Sequence, residues 1–142
     1  MKHNRYYYYI GVLALFLIIQ LIPVERENPD TISQMEITAP PQVKTILKNS
    51  CYDCHSNQTN WPFYSYIAPI SWFITDDVKE GRRHVNFSEW NKLSPEKKNR
   101  VKEELLEEIT EDEMPLLSYR IMHADAKLSE EQKSILKEWV EK

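Results

Sequence analysis

Cys51-Tyr52-Asp53-Cys54-His55 holds both cysteines of the chain and one of its four histidines. Two thiols two residues apart, with an imidazole directly behind them, form the attachment signature of c-type haem. The spacing has a chemical reason. Two thiols adding across two vinyl groups must reach one edge of one macrocycle, and the adjacent histidine then meets the iron from the same side. Three other chemistries use parts of the pattern. A thiol oxidoreductase places C-x-x-C at a helix N-terminus, where the dipole lowers the thiol pKa; here the helical pattern precedes the motif. Zinc would need two ligands beyond Cys51 and Cys54, such as His84 and His123. A disulfide would close a tight four-residue loop.

An iron held by His55 has a second axial position, which a thioether or imidazole fills. His84, Met114, Met122 and His123 are the candidates. His3 precedes an apolar N-terminal segment, and Met35 lies in a Pro-containing stretch before the first domain helix. Met114 is favoured, because Met114-Pro115 ends an acidic helical pattern and opens an irregular stretch before the last helix. Met122 reads as packing, His84 as a solvated residue near a helix end, and His123 as a hydrogen-bonding loop residue. An open sixth position would turn the reading toward a haem-based sensor or a weak peroxidase. The other ring nitrogen of a ligating histidine needs an acceptor, and the carbonyl of Pro62 or Pro69 is expected to serve. Arg82 and Arg83 would either pair with haem carboxylates or stand as cations at a helix end. Trp61, Trp72 and Trp90 read as core or haem contacts. The acidic run Glu103–Glu113 reads as a solvated face or as a steering surface for a basic redox partner.

Helices must position these groups. Val43, Ile46 and Leu47 recur at helical spacing and lead into Cys51. A second helix is expected from Pro69 to about Arg83, with Ile70, Phe73, Ile74 and Val78 on one stripe. Ser94-Pro95 opens a third, carrying Val101, Leu105 and Ile109. Ser129-Glu-Glu-Gln132 is a capping box for a last helix that buries Ile135, Leu136, Trp139 and Val140. No window alternates as a strand does, so the expectation is an all-α domain over residues 43–142. Its core is thin, and a covalently held macrocycle would fill it.

Tyr6 to Val24 carries no charge. As a helix, 19 residues at ~1.5 Å each span roughly 28 Å, near the thickness of a bilayer's hydrocarbon. Residues 1–24 therefore read as one transmembrane anchor. Lys2, His3 and Arg5 would stay in the cytoplasm, with the C-terminal bulk outside. A cleaved signal peptide would need small residues near Ile22-Pro23-Val24 and has none. Residues 25–42, with Pro29, Pro40 and Pro41, read as a linker. This organisation implies a bacterial inner-membrane protein with its domain in the periplasm.

The composition removes other classes. The 142 residues include 18 Lys+Arg and 22 Asp+Glu, a net charge of −4. That balance gives no basic face for nucleic acid. Two glycines in all leave no Gly-rich phosphate loop. No general base, nucleophile or substrate pocket stands out, so a stand-alone enzyme is not expected.

Ser50-Cys-Tyr-Asp-Cys-His-Ser-Asn57 followed by Trp61-Pro62-Phe63-Tyr64-Ser65 resembles the bacterial family of small membrane-anchored haem-binding domain proteins. Asp77 to Arg82, Asn86 to Trp90, Glu113-Met114-Pro115 and His123 to Ser129 carry the resemblance further, over about residues 40–142. It implies a domain related to class I cytochromes c, with one covalent haem c per chain. In those cytochromes the methionine ligand sits in a loop before the C-terminal helix, often followed by proline, as Met114 is. The function implied is single-electron transfer with redox partners in or near the membrane.

Overall fold

Val43, Ile46 and Leu47 point inward from helix α2 (Pro41–Ser50), and the rest of the chain is organised around that face. The computed structural model describes residues 2–142, with side chains from Arg5 onward. Seven α-helices occur among the described residues, and no strand. They are α1 (Lys2–Ile19), α2, α3 (Tyr52–His55), α4 (Ile70–His84), α5 (Pro95–Thr110), α6 (Leu117–Met122) and α7 (Glu130–Val140). Short 3-10 turns lie between them, among them Phe63–Tyr66 and Phe87–Lys92.

Local chemistry sets the helix starts. Pro41 occupies the first turn of α2, where its missing N–H costs nothing. Ser94 caps α5 through the Lys97 N–H, with Pro95 next. The Ser129/Gln132 capping box forms in both directions. One core joins α2, the 3-10 turn Phe87–Lys92, α5 and α7: Leu47, Tyr52, Phe87, Trp90, Val101, Ile109, Leu128 and Leu136 are all buried. Tyr52 stacks on Phe87 with centroids 5.6 Å apart.

The N-terminal segment corrects the expected anchor. No described helix is long and apolar enough to cross a membrane. The helix starts in the polar Lys2–Arg5 stretch and stops at Ile19. Its uncharged part, residues 6–19, measures about 21 Å, short of the ~30 Å of a bilayer core. Four of those residues are tyrosines, which are only half apolar. Gln20 ends the run: its Nε2 donates to the Phe16 and Ala68 carbonyls, and its Oε1 accepts from the Ala68 N–H at 2.9 Å. The side chains of Lys2 and His3, expected on the cytoplasmic flank, lie outside the described residues.

Residues 25–42 are woven into the domain rather than forming a free linker. Ile37 is 1% exposed within the core, and its N–H donates to the Phe87 carbonyl at 2.8 Å. Asn28 donates to Thr59 O, and Asn91 donates to the carbonyls of Gln34 and Glu36. Glu36 receives Lys44 Nζ at 3.0 Å, the Tyr52 hydroxyl at 3.1 Å and Gln58 Nε2 at 3.3 Å.

Candidate functional site

The turn between α2 and α3 presents the motif. Cys51 closes α2 with its N–H on Leu47 O, and its backbone (φ −128°) breaks the helix before α3 begins. Tyr52 faces the core. Cys51 packs against the edge of the same core, and Cys54 and His55 follow in α3, with the His55 ring 6.0 Å from Phe87. Both thiols are free. Burial, then Cys54, pushes the Cys51 thiol up to about 12. Burial, then Asp77 and Asp53, does the same to Cys54. These directions are opposite to those of a redox-active thiolate. Among the described residues no group of three metal-ligating side chains surrounds the pair, as zinc would need.

His55 is fixed from behind. Its Nδ1–H points at two carbonyls from the end of α4, Gly81 O at 2.9 Å and Val85 O at 3.3 Å. Nε2 makes no hydrogen bond among the described residues. Burial lowers the imidazole pKa against the pull of the two carbonyls, which keeps the ring neutral and able to ligate. The acceptors are not the prolines expected: Pro62 O accepts from Ser65, and Pro69 O from the Trp72 N–H.

Gly81 makes this geometry possible. A Cβ there would stand 2.7 Å from the Cys54 carbonyl oxygen, so α4 and α3 touch backbone to backbone. Asp77, Ile74 and Ile70 precede Gly81 by four, seven and eleven residues and lie on the same stripe, with Phe73 beside it. Ile70 is 48% and Phe73 68% exposed, although the stripe was expected to be core; only Val78 of that set is fully buried. Phe63, Tyr66 and Ile67 extend this bare surface across the adjoining turn.

The other candidates are placed as follows. Arg82 donates to Ser56 O, Glu27 O, Asn28 Oδ1 and Thr59 Oγ1, so its guanidinium ties residues 27–28 to the segment after the motif. Arg83 forks onto Glu80 at the surface. His84 is exposed, with Nε2 3.4 Å from Glu80. His123 has both ring nitrogens engaged, Nδ1 by Tyr119 O and Nε2 by the Tyr64 hydroxyl, and its ring stacks on Tyr119 at 4.1 Å. Met122 is exposed, and Trp90 is core. Met114 is half-buried on the 111–116 loop. That loop is pinned where Asp112, at φ 64°, pairs with Arg120 and Lys133. The following helix α6 reaches the motif through the Tyr119 hydroxyl, which donates to Asp53 Oδ2 at 2.7 Å. Asp112, Tyr119 and Gly81 do work that the sequence reading did not assign; an aspartate just past a helix end and a glycine inside an amphipathic helix were the available signals.

Residues 14–142 match the haem-binding domain family, Haem_bd. The chain belongs to this family. No curated protein and no solved structure matches it. It is a haem protein, and the residues of this haem-binding domain fit that group. Free thiols and an oriented imidazole with an open Nε2 supply the donor set. The bare apolar stripe of α4 ends beside Cys54, where Gly81 meets it. The buried indole N–H of Trp61, just before the Phe63–Tyr66 turn, has no acceptor among the described residues. Such an orphan costs ~1–3 kcal/mol unless a bound group accepts from it.

Proposed function

We propose that Cys51 and Cys54 hold one haem c per chain through thioether bonds, with His55 and Met114 as axial ligands, in a protein that carries single electrons between redox partners on the extracytoplasmic side. The observation that carries this reading is His55, whose Nδ1–H is held by two carbonyls while Nε2 is left for a metal. When bound, the haem supplies a one-electron couple at its iron. The chain's residues do the rest. The Gly81 contact seats Cys54, and the α4 carbonyls fix the plane of the imidazole and strengthen it as a donor. Asp112, through Arg120 and Lys133, holds the loop that presents the Met114 thioether, a soft ligand that favours the reduced state. Phe63, Ile70 and Phe73 provide the apolar wall that keeps water from the group.

Met114 is favoured over His123, whose two ring nitrogens both have partners, and over His84, which is exposed at the end of α4 with Nε2 beside Glu80. The extracytoplasmic side follows from the chemistry proposed, since thioether attachment takes place on the outer face of bacterial membranes. Glu103, Glu104, Glu107, Glu108, Glu111 and Glu113 are exposed and enter no ion pair among the described residues. That surface suits a basic redox partner.

Ligand substitution tests the assignment. Met114→Ala is expected to abolish the far-red charge-transfer band of the oxidised protein, lower its potential, and open the reduced iron to carbon monoxide. His84→Ala and His123→Ala should leave the spectrum unchanged. If either histidine variant erases the low-spin spectrum while Met114→Ala preserves it, the assignment fails.

A further inference from the structure

Asp77 stands one turn before Gly81 on α4, on the stripe that ends at Cys54. It is half-buried, and it makes no hydrogen bond or ion pair among the described residues. The cations around it have other partners. On α4, Lys79 reaches Glu25 at 3.0 Å, Glu80 holds Arg83 and His84, and Arg82 is spent on Ser56, Glu27, Asn28 and Thr59. Asp76, next to it, is an exposed like charge. On α3, Asp53 accepts from Tyr119 and from the Asn60 N–H, and His55 donates to the α4 carbonyls. On the Phe63–Tyr66 turn, the Tyr64 hydroxyl meets His123, and the Tyr66 ring lies under the Arg26 guanidinium at 4.4 Å. No cation pairs with Asp77 among the described residues; on its own face of α4 the exposed side chains are Ile70 and Phe73 towards the start of the helix and Glu80 and His84, which pair with each other, towards its end.

Burial, then Asp76, pushes this carboxyl above the usual carboxylate range. Asp77 in turn helps push up the Cys54 thiol, in keeping with its place one turn from the Gly81–Cys54 contact. An electron arriving at a group anchored on Cys54 adds negative charge beside an uncompensated carboxylate and raises its proton affinity.

Resting on the haem reading above, we propose that Asp77 takes up a proton when the protein takes up an electron. The electron comes from a one-electron donor protein and the proton from bulk water. As the chain takes up the electron, one O–H bond of a hydronium ion breaks and one Oδ–H bond forms at Asp77, leaving water. Oxidation returns both. Electron and proton together add no net charge to the site. The sign of the pH dependence follows: between the carboxyl's pKa in the oxidised and in the reduced protein, the midpoint potential falls as pH rises. The limiting slope is about 59 mV per pH unit, for one proton per electron.

Potentiometric titration of the haem-loaded chain from about pH 4 to about pH 9, spanning the carboxylate and histidine ranges, tests this. Proton uptake on reduction is followed in parallel with a pH indicator. The wild-type chain should show a sloping window and matching proton uptake. Asp77→Asn should flatten the window and lose the uptake, and Asp77→Glu should restore both. Asp76→Asn should keep them. If slope and uptake survive in Asp77→Asn, the proton belongs to another group, such as the haem's own carboxylates, and the proposal is overturned. A wild-type chain that carries no haem would overturn the proposed function as well, so the two failures are distinguishable.

Discussion

Two apolar surfaces flank the motif and differ in one respect: one is closed and the other is not. On one side Tyr52 packs on Phe87, and Leu47, Trp90 and Leu136 complete the enclosure. On the other, Phe63, Ile70 and Phe73 stand bare along the line that runs to Cys54. Both surfaces come from the same kind of helical periodicity. The first has α7, α5 and residues 36–37 to cover it. The second has no such cover among the described residues, so its stabilisation is expected to arrive with the cofactor. One half of the domain is enclosed by its own side chains, and the other presents its apolar side chains at the surface.

A matched pair of substitutions probes this division. Phe87→Ala should cost about 3–5 kcal/mol whether or not haem is present, because a 1%-exposed ring leaves a cavity. Phe73→Ala should change the stability of the haem-free chain by no more than about 0.5 kcal/mol, as surface changes do, yet lower the melting temperature of the loaded chain. Denaturant and thermal unfolding of both forms measure it. Equal costs in the two forms for Phe73→Ala would mean that the stripe is not the cofactor's wall.

A smaller effect tests the closed half. Burial alone would raise the Glu36 pKa, but Lys44, Tyr52 and Gln58 outweigh it and hold the carboxyl below its usual value. A carboxylate depressed in the folded state contributes stability above its unfolded pKa and loses it as pH falls through the folded value. Urea midpoints should therefore drop in acid, and Glu36→Gln should remove part of that drop, on the order of 1 kcal/mol. An identical acid loss in the variant would show that residues 25–42 are not held to the core through Glu36.

Legibility in the sequence followed periodicity and caps. α2, α4, α5 and α7 carry an apolar repeat or a Ser cap, and each formed close to where those signals place it. α6, a short helix with no side-chain cap, left no such signal. The N-terminal segment was misread because absence of charge was equated with spanning length, although the tyrosines and Gln20 shorten the apolar run. Ile37 was missed for the opposite reason: one buried residue in a polar stretch has no period to reveal it. At the site, the C-x-x-C-H chemistry was legible from residue types alone. The acceptors for His55 were not, since a backbone carbonyl has no sequence signature and depends on where α4 crosses α3. The role of Gly81 at that crossing was hidden for the same reason.

The proposed function depends on covalent attachment of the haem through Cys51 and Cys54, with His55 as ligand. The most direct measurement is the intact mass of the protein produced outside the cytoplasm of a host that matures c-type haem, with a pyridine haemochrome spectrum of the same sample. The expected result is the mass of the chain plus one haem, a haemochrome band for a macrocycle with both vinyl groups saturated, and loss of both in the Cys51→Ala/Cys54→Ala chain. An unmodified mass, with the two cysteines recovered as free thiols or as a disulfide, would contradict it.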